Sequence, residues 1–403
     1  MNAIVYGAGN IGRGFIGVLF SQAGYKVTFI DVVKETVERL HNEGRYPVRI
    51  VSSEGFEDIE VVGVDALDGR DAGGVAKAIA EADIMAVAVG VNVLKNIVPN
   101  IAEGLRRRFQ TSDRPLNILI CENLMDANRI LEGMLKEHMA PQEHALIDER
   151  VGLVETSIGR MVPIQTAEMR DGDDLRISVE RYSFLPVDKD AFKGEIPRIA
   201  KLVPYSPFGF YLKRKLYIHN MGHCICAYLG MYTGEEFICD AIEDSNIQLI
   251  VKNAMLESME ALAEEYSVSQ RDLLQHIDDL LLRFTNRALG DTCARVGRDT
   301  HRKLSPDDRL IGAARLCMEH HNLPVYIAVG IAGALHRHIL ENGMLQDTQN
   351  AVGVLQDIAG LYEQDELTGL IMKMYDMFRN GTSPKQLRRE ADKLKKNYLT
   401  EVI

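Results

Sequence analysis

The sequence predicts an α/β protein in two parts: a doubly wound N-terminal domain with a sheet extension over residues 1–195, and a mostly α-helical C-terminal domain over residues 196–403. Three observations predict this. A short β-branched run, Ala3-Ile4-Val5-Tyr6, leads straight into a glycine-rich turn and an apolar segment of helical period. Continuous apolar runs recur at Asp83–Gly90 and Leu116–Cys121, as central strands of a parallel sheet require because both their faces are covered. Beyond Glu195 three prolines (Pro197, Pro204, Pro207) punctuate the chain, strand patterns almost vanish, and helical periodicity takes over from Lys213. A length of 403 residues suits two domains.

The first strand, turn and helix set out a Rossmann-type arrangement. The turn reads Gly7-Ala8-Gly9-Asn10-Ile11-Gly12. Gly7 permits the tight bend, Gly9 lets a pyrophosphate approach the backbone, and Gly12 lets the helix pack on the strand, so that the helix amides face the phosphates. Gly24 ends the helix, and Lys26–Ile30 reads as the second strand with Asp31 at its end. A carboxylate there accepts both ribose hydroxyls and repels a 2′-phosphate, which favours NAD as cofactor; otherwise Asp31 is an ordinary turn residue. Ile59–Val64 reads as a half-exposed strand. Val93–Phe109 reads as a helix with Arg106, Arg107 and Arg108 as a solvated cationic cap at its C-terminal end. The strand Leu116–Cys121 ends in Glu122-Asn123, where a doubly wound sheet binds its ligands. Asn123 is therefore placed to meet the nicotinamide end of a cofactor or a reacting oxygen, or else to cap a helix. Leu153–Pro163 and Asp174–Glu180 alternate like antiparallel strands that extend the sheet.

In the second half, helices are expected at Ile247–Tyr266, Asp272–Arg283, Leu310–His320, Val325–Glu341 and Thr368–Phe378, with a charged amphipathic helix at Leu387–Tyr398. The densest chemistry lies in Lys215-Leu-Tyr-Ile-His219-Asn220-Met-Gly-His223, just before an apolar helical stretch. Lys215 fits a general base, with Asn220 and His223 holding or polarising an oxygen; an amphipathic helix with locally satisfied histidines is the plainer reading. A lysine partly desolvated beside a cationic cofactor has its pKa lowered toward neutrality, as a base needs.

A net charge of −12 argues against nucleic-acid or anionic-membrane partners. Against that acidic background, Arg283 to Lys303 gathers six Arg or Lys side chains and a histidine, with Arg295, Arg298, His301 and Lys303 at its end. Guanidiniums bind phosphate bidentately, so the segment suits a phosphorylated small substrate; salt bridging to the surplus acids is the plainer reading. No metal is expected, because Cys224 and Cys226 diverge on a helix and no Glu completes an HExxH pattern around His219 and His223. Six scattered cysteines, no leader pattern and no long apolar run lead to the expectation of a reduced, cytoplasmic protein, a monomer or small homo-oligomer.

The opening IVYGAGNIGRGFIG, the Cys121-Glu122-Asn123 strand end, the Lys215-x4-Asn220-x2-His223 spacing and RVGRDTHRKLSPDDRL together resemble the polyol-specific long-chain dehydrogenase/reductase (mannitol dehydrogenase) family over essentially the whole chain. The resemblance implies a metal-independent, NAD-dependent enzyme interconverting D-mannitol 1-phosphate and D-fructose 6-phosphate. It implies Lys215 as general base, Asn123 and Asn220 as stabilisers of the alkoxide-like oxygen, His223 as an orienting group, and Arg295–Lys303 as a substrate-contacting segment. There is one departure: many relatives carry Val-Asp-Arg-Ile where this chain reads Ile158-Gly159-Arg160-Met161, so an aspartate contact to the sugar is absent. A family reductase acting on an unphosphorylated polyol or keto-uronate, and an NAD-binding regulatory protein without turnover, are the alternatives.

Overall fold

A computed structural model describes residues 1–402 except Asn123, Met125 and Ile164, and excludes the side chains of residues 401–402. The chain forms two compact units, Met1–Gly209 and Phe210–Ile403.

The first unit contains β1 (Asn2–Tyr6), β2 (Lys26–Asp31), β3 (Arg45–Ser52), β4 (Gly55–Val62), β5 (Val64–Asp68), β6 (Ile84–Val87), β7 (Leu116–Ile120) and β8 (Val151–Glu155). Six of these form one sheet in the order β5-β2-β1-β6-β7-β8, with every neighbouring pair parallel. Counted within this sheet alone the order is 3-2-1-4-5-6, the doubly wound arrangement whose switch point lies between β1 and β6. The strands read as unbroken apolar runs because each feeds two cores. Ala3 and Val5 join Phe15, Phe29 and Leu119 on one side, while Ile4 and Tyr6 join Ile30, Met85 and Ile118 on the other. Each such side chain contributes roughly 1.5–3 kcal/mol relative to exposure.

The sheet extension differs from the antiparallel strands expected. Val151–Glu155 does extend the sheet, but parallel to β7. The helices Ala127–His138 and Pro141–Arg150 lie between the two strands and return the chain to the same edge in the same direction. β9 (Ile177–Glu180) leaves that sheet altogether and pairs parallel with β3, which forms an antiparallel hairpin with β4. Alternation reports one covered face, not strand direction, so the sequence pattern could not separate these outcomes. β10 (Leu185–Asp188) and β11 (Leu202–Tyr205) form a further parallel pair through the proline-punctuated stretch. The helix Leu94–Thr111 ends on the three arginines, but Arg108 is not solvated. It is 3% exposed, and its guanidinium donates to the carbonyls of Ala80, Ala82, Arg114 and Pro115.

The second unit is helical, and Val325–Glu341 spans the residues its periodicity predicts. Its centre is the helix Met221–Thr233, which is buried from Met221 to Gly230 except for the half-buried His223. Neighbours approach closely where side chains are missing: a Cβ on Gly330 would meet Ile225 at 2.3 Å, and one on Gly222 would meet Met255 at 2.1 Å. Glu257, on the helix Ser245–Tyr266, ties three elements together. Its carboxylate accepts from the backbone N–H of Val325, Tyr326 and Ile327, which the helix Val325–Glu341 cannot satisfy internally, and it lies 3.2 Å from Lys395 of the last helix, Pro384–Val402. Glu257→Ala strands the N–H groups of Tyr326 and Ile327 in a dry interior and removes the charge partner of Lys395, which keeps only Asn322 and the Leu323 carbonyl. It is expected to lower the unfolding free energy, measured by urea denaturation followed by circular dichroism, by about 3–5 kcal/mol.

Candidate active site

The glycine turn sits at the switch point, and each glycine meets a different constraint. Gly7 has φ +103°, and a Cβ there would lie 2.4 Å from the carbonyl oxygen of Ala88 at the end of β6. A Cβ on Gly12 would lie 1.9 Å from the Gly7 carbonyl oxygen, so this helix start packs directly on the turn. Around Gly9 nothing lies within 4 Å of where a Cβ would sit. That leaves an open backbone face for a phosphate group to approach, flanked by exposed Asn10, half-buried Ile11 and buried Ala8. Past Gly12 the helix opens with a π-turn over Gly12–Ile16, closed by the Gly17 N–H on the Gly12 carbonyl five residues back.

Asp31 stands at the end of β2 with its carboxylate aimed at this turn. One oxygen accepts from the Ala8 N–H at 2.7 Å and the other from the N–H groups of Val32 and Val33. Each carboxylate oxygen has two lone-pair directions, so acceptor capacity remains for a hydroxyl. Two guanidiniums underpin the turn from inside. Arg13 is 7% exposed and donates to the carbonyls of Ala8 at 2.6 Å and Leu175 at 2.5 Å. Arg160, equally buried, donates to Gly14 and Glu180 carbonyls, and burial pushes its pKa down to about 10. Sequence spacing carries no signal for either, because nothing in it foretells a cation bonded to main-chain carbonyls. Gly159 faces Tyr182: a Cβ would meet its ring at 3.1 Å. Beside the switch point Glu122 accepts from the N–H groups of Val89 and Gly90, bracing the ends of β6 and β7, and burial raises its pKa. Asn123 lies outside the described residues.

In the second unit, Lys215 to Asn220 form a π-helix that runs into the central helix, and the Met221 N–H donates to the Leu216 carbonyl five residues back. In an ordinary helix, at about 100° per residue, Lys215 and Asn220 would point roughly 140° apart. A π-turn advances roughly 80° per residue, which brings them to about 40° apart and carries His223 onto nearly the azimuth of Lys215. The unusual turn thus gathers the three candidates on one side. Lys215 and Asn220 are half-buried. His223, 14% exposed at its side chain, stacks on Phe284 with centroids 4.8 Å apart, and its Nε2 lies 3.0 Å from Asp291 Oδ2. His219 is buried 6.1 Å away; desolvation, and next the charge of Arg283, hold its pKa well below the usual value, so it is neutral.

Cys224 and Cys226 are fully buried and their thiols point to the carbonyls of Met221 and Ile238. Burial pushes the Cys224 thiol up to about 12.

The basic segment is largely paired within its own unit. Arg283 contacts Asp279, Arg287 contacts Asp240, Arg302 contacts Asp299 and Asp308, and Arg295 donates to Asp291. Arg298 and His301 are exposed. Lys303 is 3% exposed and donates to the Arg298 carbonyl, and burial lowers its pKa to about 8. Asp291 is the residue sequence reasoning missed. The available signal was its place four residues before Arg295, with Thr292 between them as a helix cap.

Comparison with known proteins bears on both units. Residues 1–201 match the family model described as the mannitol dehydrogenase Rossmann domain, and residues 209–382 match the mannitol dehydrogenase C-terminal domain. Among curated relatives, a Brevibacillus brevis protein named mannitol-1-phosphate 5-dehydrogenase is 36% identical over 335 residues, covering 83% of this chain and 86% of its own. A Bacillus subtilis protein of the same name is 35% identical over 381 residues, covering 93% of this chain and 99% of its own. Among solved structures, a D-sorbitol dehydrogenase in substrate-free form matches at TM-score 0.80 with 18% identity, over 96% of this chain and 94% of that one. Pseudomonas fluorescens mannitol 2-dehydrogenase, in a ternary complex with NAD and D-mannitol, matches at 0.75 with 14% identity, over 98% and 94%. These two show the fold. The chain belongs to the mannitol dehydrogenase family.

The glycine turn yields a paired prediction. Gly12→Ala forces a Cβ into a carbonyl and is expected to cost about 3 kcal/mol, a fall of roughly 6–12 °C in the unfolding midpoint. Gly9→Ala enters open space and is expected to stay within about 0.5 kcal/mol of the parent. Differential scanning fluorimetry of the two variants measures the contrast.

Proposed function

Proceeding from that family membership, we propose that this chain interconverts D-mannitol 1-phosphate and D-fructose 6-phosphate with NAD as the redox partner, in the manner of a cytoplasmic, metal-independent dehydrogenase. The observation that carries the reading is the match, over 83–93% of this chain, to relatives named mannitol-1-phosphate 5-dehydrogenase. The geometry of both units supports it.

The cofactor fits the residues present. Gly9 leaves the backbone open on the side where a pyrophosphate would lie, and Gly7 and Gly12 are positions that a side chain would obstruct. Gly7, Ala8, Gly9, Asn10, Ile11 and Gly12 would hold the phosphates, with Asp31 toward the ribose. NAD bound there supplies the hydride acceptor for the oxidation. Lys215 takes the proton of the C5 hydroxyl as C5 loses a hydride and becomes the ketone carbon of D-fructose 6-phosphate; in the reverse direction Lys215 returns that proton. Asn220 and Asn123 stabilise the oxygen while charge develops on it, and His223 orients the substrate or the lysine. Arg298 and His301 are exposed members of the basic segment, suited to meet the phosphate. Arg295 and Lys303, tied to Asp291 and the Arg298 carbonyl, hold that segment in shape and add positive charge beneath it. No described helix is long and apolar enough to cross a membrane. A small-molecule substrate, with no nucleic-acid or membrane partner, is part of the proposal, as is a monomer or small homo-oligomer.

The test is NADH oxidation with D-fructose 6-phosphate, beside free fructose and NADPH controls. The reading expects rapid turnover with NADH and the phosphorylated sugar alone; equal activity on free fructose or a keto-uronate defeats the sugar-phosphate assignment. Lys215→Ala is expected to lower kcat by about 100- to 10,000-fold, as loss of a general base does, with NADH affinity unchanged within about twofold; a parallel loss of binding makes the lysine structural. Because burial depresses Lys303 to about pH 8, its ammonium is present below that pH and lost above it, where an ordinary lysine stays charged. The KM for D-fructose 6-phosphate should therefore rise from pH 7 to pH 9, roughly following that titration. A flat KM across this range removes Lys303's charge from substrate binding.

A further inference from the structure

Resting on the reading above, we propose that Asp291 is a positioning residue for the reaction: its carboxylate fixes the imidazole of His223 on one side and the guanidinium of Arg295 on the other, so that the proton-handling helix and the substrate-binding segment share one anchor.

The geometry is specific. Asp291 Oδ2 lies 3.0 Å from His223 Nε2, and Oδ1 accepts from Arg295 Nε at 3.0 Å and also from Nη2. The carboxylate is 9% exposed, so little water competes for it. Its backbone is pinned on both sides. The Asp291 carbonyl accepts from Ile238 N–H at 2.9 Å, Cys293 N–H donates to the Glu236 carbonyl at 2.8 Å, and Phe237 and Thr292 form an antiparallel bridge. Thr292 then caps the helix Cys293–Gly297 through the Arg295 N–H. Asp291 is therefore a fixed point, not a side chain that follows its partners. Desolvation alone would raise its pKa, but contact with His223 and Arg295 holds it below the ordinary carboxylate range.

A chemical consequence follows for His223. A carboxylate oxygen 3.0 Å from Nε2 requires that nitrogen to carry its hydrogen, since two lone pairs would otherwise oppose each other. In the neutral ring Nδ1 is then the acceptor. Phe284, stacked on the ring at 17°, blocks one face and leaves rotation in the ring plane as the residual freedom, which Asp291 removes. His223 thus acts toward a substrate hydroxyl or the lysine as an acceptor at Nδ1, with its orientation set by a group that touches neither.

The test combines a variant cycle with a measurement on the parent protein. Asp291→Asn, which keeps the volume and loses the charge, is expected to lower kcat/KM for D-fructose 6-phosphate about 10- to 100-fold while NADH affinity and the unfolding midpoint stay near parental. In a His223→Gln background the same change should cost clearly less than in the parent, because the His223 contact is already lost and only the Arg295 contact remains to be broken. Full additivity in that background, or NADH binding lost in proportion to activity, overturns the proposal. Should Asp291→Asn fail to fold, nitrogen–proton spectra of histidine-labelled parent protein, with the His223 signal assigned by its loss in His223→Gln, decide the matter. An Nε2–H ring supports the proposal and an Nδ1–H ring refutes it. This readout needs no substrate, so it stands apart from the turnover assay: absence of turnover with D-fructose 6-phosphate removes the proposed function, while the tautomer still decides the role of Asp291.

Discussion

The five-residue hydrogen bond from Met221 back to Leu216 is the constraint on which the helical unit depends. A helix that kept its ordinary pitch from Lys215 onward would turn Lys215 away from Asn220 and His223 while its continuation stayed the same. The continuation cannot shift to compensate. Met221, Cys224, Ile225, Cys226 and Leu229 are fully buried, and Gly222 and Gly330 leave no room for sliding against Met255 and Ile225. Close packing of this kind fixes register, since interiors tolerate displacements far smaller than a residue. The π-turn reconciles two demands on one segment: a buried register downstream and a shared azimuth for three polar groups upstream. Such turns cost helical regularity and persist where a site requires them.

The first unit meets an analogous problem by different means. A backbone turn that presents amides to an anion must itself be held, and its carbonyls point inward, where they need donors. Arg13 and Arg160 provide these from below, reaching Ala8, Leu175, Gly14 and Glu180 carbonyls. Burying a guanidinium is costly unless its donors are satisfied, and here carbonyls satisfy them while Asp31 is close enough to favour the charge on Arg13. The result is a turn whose outer face is open at Gly9 and whose inner face is rigid. The same two cations link the turn to β9 and the segment before it, which explains why a strand expected to extend the main sheet instead packs beneath the glycine segment, where Ile177 and Val179 fill the space over Gly14.

Charge in the helical unit follows one rule: Arg side chains that look like a free cationic cluster in sequence are mostly bridged by acids nearby, and the exposed remainder is small. Arg302 is held by Asp299 and Asp308, and Arg295 by Asp291. Arg298, His301 and the bridged Arg302 face solvent, and Lys303 lies inside. Lys303 pays for its position with a lowered pKa, a cost that desolvation imposes on any buried ammonium.

How much of this was legible beforehand differs by element. Gly7, Gly12 and Asp31 carried their local geometry in their spacing, because a strand, a tight turn and a helix start are short-range events set by φ/ψ limits and hydrophobic period. The helix Val325–Glu341 and the strands β1, β2 and β7 were readable for the same reason. Asn123 was named by its place after β7 and lies outside the described residues, so its reading rests on sequence alone. The direction and partner of β8 and β9, the carbonyl-bound Arg13, Arg108 and Arg160, and the meeting of His223 with Asp291 across 68 residues of chain were not legible. What the sequence by itself determined is the set of local conformations and the residue types available for chemistry. Only the tertiary structure decided which charges cancel, which imidazole faces a carboxylate and which face of the helix the lysine shares, because those depend on contacts between segments whose separation along the chain leaves no periodic trace.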